Sequence, residues 1–289
     1  KTYTDLPFLV ELEPVEVAGT EGGGAGDAQA APAYRAGKFL VAGDIEGHAE
    51  AESENAMFKP AIWDEATGRP AIPNGTLGHR YGETGEGRWN LDMGDLRPAM
   101  SMLNADGSGQ AVEVELPRFD ALDGKVAFGR RGVPVRRVGD RLVTTVYDLM
   151  RAQYGVARPG LPGRWPTGYD DVEAPYTPAW QEDITTVPAE QVTRIAREFA
   201  RNAVDTDGRS MILMGAGTNH WYHSDLIYRA MLTLTTITAS QGRNGGGWAH
   251  YVGQEKIRPL TGFQHTAFAL DWIRPPRHMA HTAYWYLNT

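Results

Sequence analysis

Two glycine-rich stretches, separated by a long apolar segment, are the part of this sequence best suited to hold a ligand. Gly215 and Gly217 follow the apolar stretch 211–214, and Gly245–Gly247 are three consecutive glycines. A Gly-x-Gly pair after a strand lets backbone N–H groups approach a phosphate, and the dipole of the next helix favours the negative charge. Three successive glycines permit unusual dihedral angles and close approach of a ligand to the backbone. Both stretches are therefore candidates for contact with a phosphate-bearing ligand.

Both stretches also have interpretations without a ligand. The full dinucleotide fingerprint is Gly-x-Gly-x-x-Gly, and this chain has His220 at the position of the third glycine. An NAD-dependent dehydrogenase would also need an acidic residue after the next strand, and none stands in the expected place. Gly215 and Gly217 also fit a tight strand-to-helix turn, and Gly245–Gly247 also fit a flexible turn.

Histidines close to the first stretch are candidates for proton transfer or metal binding. His220 and His223 are three residues apart, as are His278 and His281, and each pair could supply two zinc ligands. A third ligand is not evident, so we predict no metal ligand in this chain. The imidazole of His220 could instead donate a hydrogen bond or move a proton. The alternative is a histidine that only fixes the shape of the loop.

The composition excludes several kinds of site. The net charge of −8 argues against a nucleic-acid partner, because surfaces that bind nucleic acid are usually basic. The absence of cysteine excludes disulfides and thiolate metal ligands. The longest apolar stretch, 226–239, is too short to span a membrane and contains Arg229, so we expect no direct membrane span.

Residues 1–165 form the first predicted segment, which is irregular and rich in strands, hairpins and loops. Short strands are predicted over 5–13 and 37–45, with a Gly/Ala-rich surface loop over 18–33 between them. The other predicted elements are a hairpin over 58–75, a strand over 109–119, and a strand running into a helix over 140–150.

Residues 166–289 are predicted to form an α/β cofactor-binding segment. Apolar residues recur with helical spacing over 187–203, a buried strand is predicted over 209–214, and a mostly apolar helix is predicted over 224–240. Helix, strand, glycine-rich loop and helix in this order form part of a doubly wound, Rossmann-like sheet. Ligands of such sheets bind beyond the carboxyl ends of the strands, where Gly215 and Gly217 are expected. The predicted fold class is therefore α/β, with an irregular β-rich N-terminal half.

Seven long stretches of this sequence resemble one protein family, in the same order along the chain. They are YTDLPFLV, VTTVYDLM, YTPAW, IAREFA, GRSMILMGAGTNHWYHSD, GGGWAHYVGQEKIRPLTG and FALDWIRPPRHM. The sequence is similar to the molybdopterin oxidoreductases of the dimethyl sulfoxide reductase superfamily. Within that superfamily it resembles the catalytic α-subunits of membrane-bound respiratory nitrate reductases. The chain begins without Met and looks like an internal segment of a longer subunit.

The resemblance implies a molybdenum centre held by two molybdopterin guanine dinucleotides. It also implies that the loops 215–223 and 245–256 line the cofactor cavity. The residues expected to contact the cofactor are Gly215, Gly217, Asn219, His223, Gly245, Gly246, Gly247, Trp248, His250, Gly253, Gln254 and Lys256. His220 matches a position that faces the molybdenum pocket in the family, and it is the expected catalytic residue.

The same resemblance implies oxygen-atom transfer from nitrate, which is released as nitrite while two electrons and two protons yield water. A [4Fe–4S] cluster is expected in the full subunit but cannot be ligated by this chain, which lacks cysteine. The Asp ligand of molybdenum is expected upstream of the matching stretch. The expected partners are an iron–sulfur β-subunit and a haem-bearing membrane γ-subunit, which would attach the enzyme to the cytoplasmic face of the membrane.

Two further alternatives stay open at this point. A nitrite-oxidising relative would run the same chemistry in reverse, and the sequence does not distinguish the two directions. A non-catalytic cofactor-binding module would describe the isolated segment, which we expect to be inactive by itself.

Overall fold

The computed structural model of the chain describes residues 4–15, 33–73, 93–118 and 127–250. The chain divides into two compact units, Lys1–Phe199 and Ala200–Thr289. The division predicted at residue 165 lies inside the first unit.

Five strands of the first unit close into a barrel. They are β1 (Leu9–Pro14), β2 (Tyr34–Phe39), β5 (Gln110–Arg118), β6 (Ala127–Val138) and β7 (Arg141–Thr145), in the order β1-β2-β5-β6-β7. Neighbouring strands are antiparallel except for β2 and β5, which run parallel. Strands β3 (Ile62–Asp64) and β4 (Arg69–Ala71) form a separate antiparallel hairpin. The predicted hairpin, the strand predicted over 109–119 and the strand running into a helix over 140–150 are confirmed. The strand predicted over 5–13 is confirmed from Leu9 onward, and closure of the barrel was not predicted from the sequence.

The strand predicted over 37–45 is wrong in its second half, because β2 ends at Phe39. Residues Ala42–Asp44 form a short 3₁₀ turn instead. The carboxylate of Asp44 accepts a hydrogen bond from the N–H of Val41 at 3.1 Å, which favours the turn over an extended chain.

Alternation of side chains along the barrel strands separates two apolar clusters. Leu142 and Val143 are neighbours on β7, so their side chains point to opposite faces of the sheet. Leu142 belongs to a cluster to which all five barrel strands contribute, and which therefore fills the interior. Val143 belongs to a second cluster that includes Leu9 and Trp63, on the outer face of the barrel.

A buried carboxylate, that of Asp148, connects the helix that follows the barrel to other parts of the first unit. Helix α1 (Val146–Gln153) begins directly after β7, and the hydroxyl of Thr145 accepts the N–H of Asp148 at 3.1 Å as its cap. The buried carboxylate of Asp148 accepts the N–H of Met102 at 2.7 Å and the hydroxyl of Ser101 at 2.8 Å. It also forms an ion pair with Arg158, which is buried as well. Asp148 thus joins α1 to two segments distant in sequence.

Two more helices end the first unit and enter the second. Helix α2 covers Pro178–Thr185 and α3 covers Ala189–Asp205, which confirms the helix predicted over 187–203. The second unit continues with β8 (Met211–Met214), α4 (Ala216–Asn219), α5 (Ser224–Ile237) and β9 (Gly247–His250). Strands β8 and β9 pair in parallel and are connected through helices, which makes a β-α-β unit. Such units build doubly wound sheets, and the doubly wound sheet itself stays a prediction.

Several elements of this region are less covered than predicted. Leu213 on β8 is 77% exposed, and Thr235 is the fully buried residue of α5. The strand predicted over 209–214 is present as β8, but the prediction that it is buried is wrong for this chain. It was based on apolar composition, which shows that a side chain can be buried but not what covers it. Of the helices in the described ranges, none is long and apolar enough to cross a membrane.

The hairpin of β3 and β4 depends on the carboxylate of Asp64. This buried group accepts hydrogen bonds from the N–H groups of Arg97 at 2.8 Å, Ala66 at 3.2 Å and Thr67 at 3.1 Å, and from the hydroxyl of Thr67 at 2.8 Å. Burial by itself would raise the pKa of Asp64, but these hydrogen bonds outweigh it and hold the pKa below its usual value.

The ion pair of Asp148 and Arg158 predicts a large loss of stability when the cation is removed. Arg158→Leu leaves a buried carboxylate without its charged partner, so the free energy of unfolding should fall by roughly 3–5 kcal/mol. Arg194→Gln is the matched control, because Arg194 pairs with Glu198 on the exposed face of α3 and should change stability by less than about 1 kcal/mol. Urea denaturation of the purified chain measures both. Equal stability of the two variants would contradict the prediction.

The low pKa of Asp64 predicts that its contribution to stability depends on pH. Since the pKa is lower in the folded than in the unfolded chain, the contribution is complete above the unfolded value of about 4. It is lost as the pH falls through the folded value. Wild type should therefore exceed Asp64→Asn in the free energy of unfolding at pH 7, and this difference should shrink in acid below about pH 4. A difference that stays constant down to pH 2 would refute this assignment.

Candidate functional site

The parallel pairing of β8 with β9 decides which predicted site residues lie at the same edge of the sheet. Met214 at the carboxyl end of β8 pairs with His250 at the carboxyl end of β9. Gly215 follows Met214, so the loop 215–223 begins at the edge where His250 lies. Gly247 pairs with Met211 at the other end, about 10 Å away for strands of this length. The structure therefore brings His250 to the first glycine-rich stretch but leaves Gly245–Gly247 at the opposite edge.

The conformation and packing of the chain itself explain why residues 245–247 are glycines. Gly245 and Gly247 have φ angles of +82° and +87°, which side chains other than hydrogen rarely allow. A Cβ atom on Gly246 would overlap the carbonyl oxygen of Gly208 and lie 2.9 Å from that of Ser240. The described residues thus require glycine at all three positions without any ligand. Contact of Gly245–Gly247 with a cofactor stays a prediction.

Gly215 and Gly217 differ from the triple glycine both in their φ angles and in the space around their Cα atoms. Gly215 is extended, with φ of −96°, and a positive φ occurs at neither residue. A Cβ atom on either glycine would meet no atom of the described residues within 4 Å. Neither backbone conformation nor packing in this structure requires glycine here. Both positions therefore have room for a group from outside the chain.

The path of the loop differs from the predicted strand–loop–helix order. Gly215 leads into α4, a single turn, and α5 begins only after His223. The dipole of the long helix therefore does not act directly at Gly215. His220 and His223 are exposed, and their side chains make no hydrogen bond to the described residues. Trp221 and Tyr222 between them are 65% and 94% exposed, which is unusual for two adjacent large aromatic side chains.

Two buried polar atoms near this edge lack partners within the described part of the chain. They are the side-chain oxygen Oδ1 of Asn219, an acceptor, and the indole Nε1 of Trp248, a donor. An unsatisfied buried polar group costs roughly 1–3 kcal/mol, so such atoms are uncommon unless something else bonds to them. Both residues were predicted from the sequence to contact a cofactor.

Three rings form a cluster at the carboxyl end of β9. The ring centroids of Tyr228, Trp248 and His250 lie 5.2–5.5 Å apart, and the Tyr228 hydroxyl lies 3.2 Å from Nε2 of His250. Trp248 and His250 share a face of β9 because they are two residues apart. Tyr228 was not predicted from the sequence, because its place on α5 opposite β9 depends on the crossover and leaves no local signal.

The remaining predicted site residues lie outside the described residues. These are Gly253, Gln254 and Lys256, and the pair His278 and His281 lies there too. Over the ranges that the structure does describe, no group of three or more His, Asp or Glu side chains is arranged to hold a metal ion.

The contrast between the two glycine-rich stretches predicts opposite effects of adding a methyl group. Gly246→Ala should destabilise the cofactor-free chain by roughly 1–3 kcal/mol, because its Cβ meets backbone that must move. Gly217→Ala should be neutral or slightly stabilising, because its Cβ meets open space within α4. Thermal melts of both variants test this. Equal melting temperatures would show that the backbone contact at Gly246 has no energetic weight.

Comparison with known proteins identifies the family. The nitrate reductase alpha subunit of Mycobacterium tuberculosis is 54% identical over 294 residues, which cover 100% of this chain. The nitrate reductase alpha chain of Bacillus subtilis is 44% identical over 100% of this chain, and the respiratory nitrate reductase 1 alpha chain of Escherichia coli is 43% identical over 99%. No family model matches the chain.

The matches cover only part of each relative. The chain spans 22% of the length of the Mycobacterium tuberculosis and Bacillus subtilis proteins and 23% of the Escherichia coli protein. Identity at this level over the whole chain, in three different organisms, shows common descent rather than a shared local motif. The chain therefore belongs to the family of nitrate reductase alpha subunits, as a segment of such a subunit.

Proposed function

We propose that this chain forms part of a catalytic subunit that reduces nitrate to nitrite at a molybdenum cofactor, and that the loop 215–223 contacts the cofactor. The observation that carries the proposal is the open space at Gly215 and Gly217. Within the described residues, glycine is needed there neither for a positive φ nor for packing, and the buried acceptor of the neighbouring Asn219 has no partner. Family membership indicates which ligand such an edge would receive.

The residues at this edge fit a pterin dinucleotide in their chemistry. The cofactor offers N–H donors on its pterin and guanine rings, which suit the unused acceptor of Asn219. It also offers ring nitrogens and phosphate oxygens, which suit the unused N–H of Trp248. Backbone N–H groups can approach phosphate closely where no Cβ intervenes, as at Gly215 and Gly217.

The cofactor would supply the oxygen-atom transfer chemistry when it is bound, and the chain would bind and orient it. Reduction of one nitrate consumes two electrons and two protons and yields nitrite and water. His220 is exposed on the loop with neither ring nitrogen engaged by the described residues, so it can exchange a proton with a bound group. Its proposed role is to hold or deliver a proton near the reacting oxygen.

The finer assignments extend the same proposal. They comprise two molybdopterin guanine dinucleotides on one molybdenum, and a [4Fe–4S] cluster ligated outside this chain, which has no cysteine. The proposed partners are an iron–sulfur β-subunit and a haem-bearing membrane γ-subunit, and the enzyme would be attached to the cytoplasmic face of the membrane through them. The identity to three proteins named as nitrate reductases supports nitrate reduction over a nitrite-oxidising role.

Two variants of the intact subunit test this proposal together. Gly217→Leu fills the open space, so molybdenum content and nitrate turnover should fall in proportion. His220→Ala should leave molybdenum content near that of wild type and lower nitrate turnover by about 100-fold, the lower range for loss of an acid–base group. Elemental analysis and a turnover assay with an artificial electron donor are made on the same samples.

The melting temperature of the cofactor-free chain is the control for both variants. It should be unchanged, because both side chains lie on an exposed loop. A Gly217→Leu subunit with full molybdenum content would refute cofactor contact at this loop. Loss of molybdenum in His220→Ala, in proportion to activity, would make His220 a residue that retains the cofactor rather than a catalytic one.

A further inference from the structure

A small cavity opens at one end of the barrel in the first unit. Its volume is about 130 Å³, well below the roughly 300–1,000 Å³ of pockets for drug-sized molecules. Leu116 from the barrel interior and the indole of Trp165 form part of its wall. Four arginines also line it, Arg118, Arg130, Arg131 and Arg164, against one acidic residue, Glu173. The cavity is therefore small and rich in arginine.

Arg131 is held in place by backbone carbonyls and by an aromatic ring. It lies two residues before Val133 on β6, so both side chains point to the same, interior face of the strand. Its Nε donates to the carbonyl of Arg164 at 3.1 Å, and its Nη1 donates to the carbonyls of Ala152 at 2.6 Å and Gln153 at 3.1 Å. The guanidinium also lies over the Trp165 ring, 5.6 Å from its centroid. These contacts fix the orientation of the charged group.

The same contacts leave two N–H donors of the Arg131 guanidinium without an acceptor among the described residues. A guanidinium has five N–H donors, and three of those on Arg131 are bonded to backbone carbonyls. The two on Nη2 have no partner among the residues that the structure describes, although the side chain lines the cavity. No carboxylate of the described residues lies within ion-pair distance of Arg131, whereas Arg130 is paired with Glu115 at 2.7 Å. Arg131 is thus a fixed cation without a counter-ion among the residues that the structure describes.

The surroundings of Arg131 make this arrangement costly. The group is half-buried, and this burial lowers its pKa, while the nearby Tyr176 raises the pKa and Arg118 lowers it. A buried charge is normally paired, because removal from water is expensive and carbonyl dipoles offset only part of the loss. An anion in the cavity would supply a counter-charge and accept hydrogen bonds from the Nη2 N–H groups of Arg131.

We propose that this cavity binds a small inorganic oxyanion, with an oxygen of the anion accepting hydrogen bonds from Nη2 of Arg131. A cavity of this volume could enclose a small anion but not a nucleotide or a larger organic acid. The exposed Arg164 at the rim attracts the anion electrostatically, and the carboxylate of Glu173 repels it. This site lies in the first unit, in a different part of the chain from the candidate cofactor site, and does not depend on the proposed nitrate reduction.

Calorimetric titration of the intact subunit with sulfate tests this site. Sulfate is chosen because it is not a substrate of the proposed reaction, and sodium chloride at equal ionic strength is the reference. Saturable binding of sulfate beyond the chloride reference is expected. Arg131→Gln should weaken it at least tenfold, Arg164→Gln should weaken it several-fold, and Glu173→Gln should strengthen it.

Arg137→Gln is the matched control variant. Arg137 is exposed on the same strand, six residues from Arg131, and does not line the cavity, so sulfate affinity should be unchanged. The absence of saturable binding in wild type would overturn the proposal, as would equal affinity in wild type and Arg131→Gln. If Arg131→Gln does not fold, the rim variants decide, and unchanged affinity in both Arg164→Gln and Glu173→Gln would overturn it.

Discussion

The parallel pairing of β8 with β9 is the constraint on which the candidate cofactor site depends. A chain that leaves β8 at its carboxyl end must return to the amino end before β9 can begin, and α5 makes that return. The departure and the return therefore lie at opposite edges. This geometry assigns Gly215 and Gly247 to different edges, although they are similar in sequence and both flank α5. It also places His250, which ends β9, beside the departing loop.

The two glycine-rich stretches therefore differ in why they contain glycine. Gly245–Gly247 form the turn that enters β9, where positive φ angles and contact with the backbone of Gly208 require them. Gly215 and Gly217 meet neither requirement, and beside them Asn219 has an unsatisfied acceptor. The fold does not require the glycines of the loop 215–223, so this loop is the better candidate for contact with a ligand.

Local elements were predictable from the sequence because their signals are local. Alternation over 109–119 predicted β5, and apolar residues with helical spacing over 187–203 predicted α3. Closure of the barrel was not predictable, since it depends on pairing of Tyr34 with Val114, eighty residues apart in sequence. The predicted end of the strand at residue 45 was wrong because the Asp44 side chain bonds to the backbone of Val41 and turns the chain. Local polar competition of this kind is not visible in a hydrophobic pattern.

Prediction of the site was limited in the same way. Glycines after a predicted strand indicated the loop 215–223 as a candidate, and the family resemblance added Trp248 and His250; contact of these residues with a cofactor stays a prediction. Neither signal could locate Tyr228 or Arg131, since the importance of each depends on neighbours supplied by distant strands and helices. The second glycine-rich stretch was grouped with the first because a glycine in a sequence carries no information on its φ angle or on what lies beside its Cα.

The backbone contact at Gly246 affects how substitution patterns among homologues should be interpreted. An invariant glycine in a cofactor-binding subunit is commonly attributed to the cofactor. At position 246 selection would retain glycine even in a homologue that had lost the cofactor, because the carbonyl groups of Gly208 and Ser240 leave no room for a methyl group. Positions 215 and 217 would be released in such a homologue. Divergence at these two positions, with 246 unchanged, would mark family members that have lost the cofactor while keeping the fold.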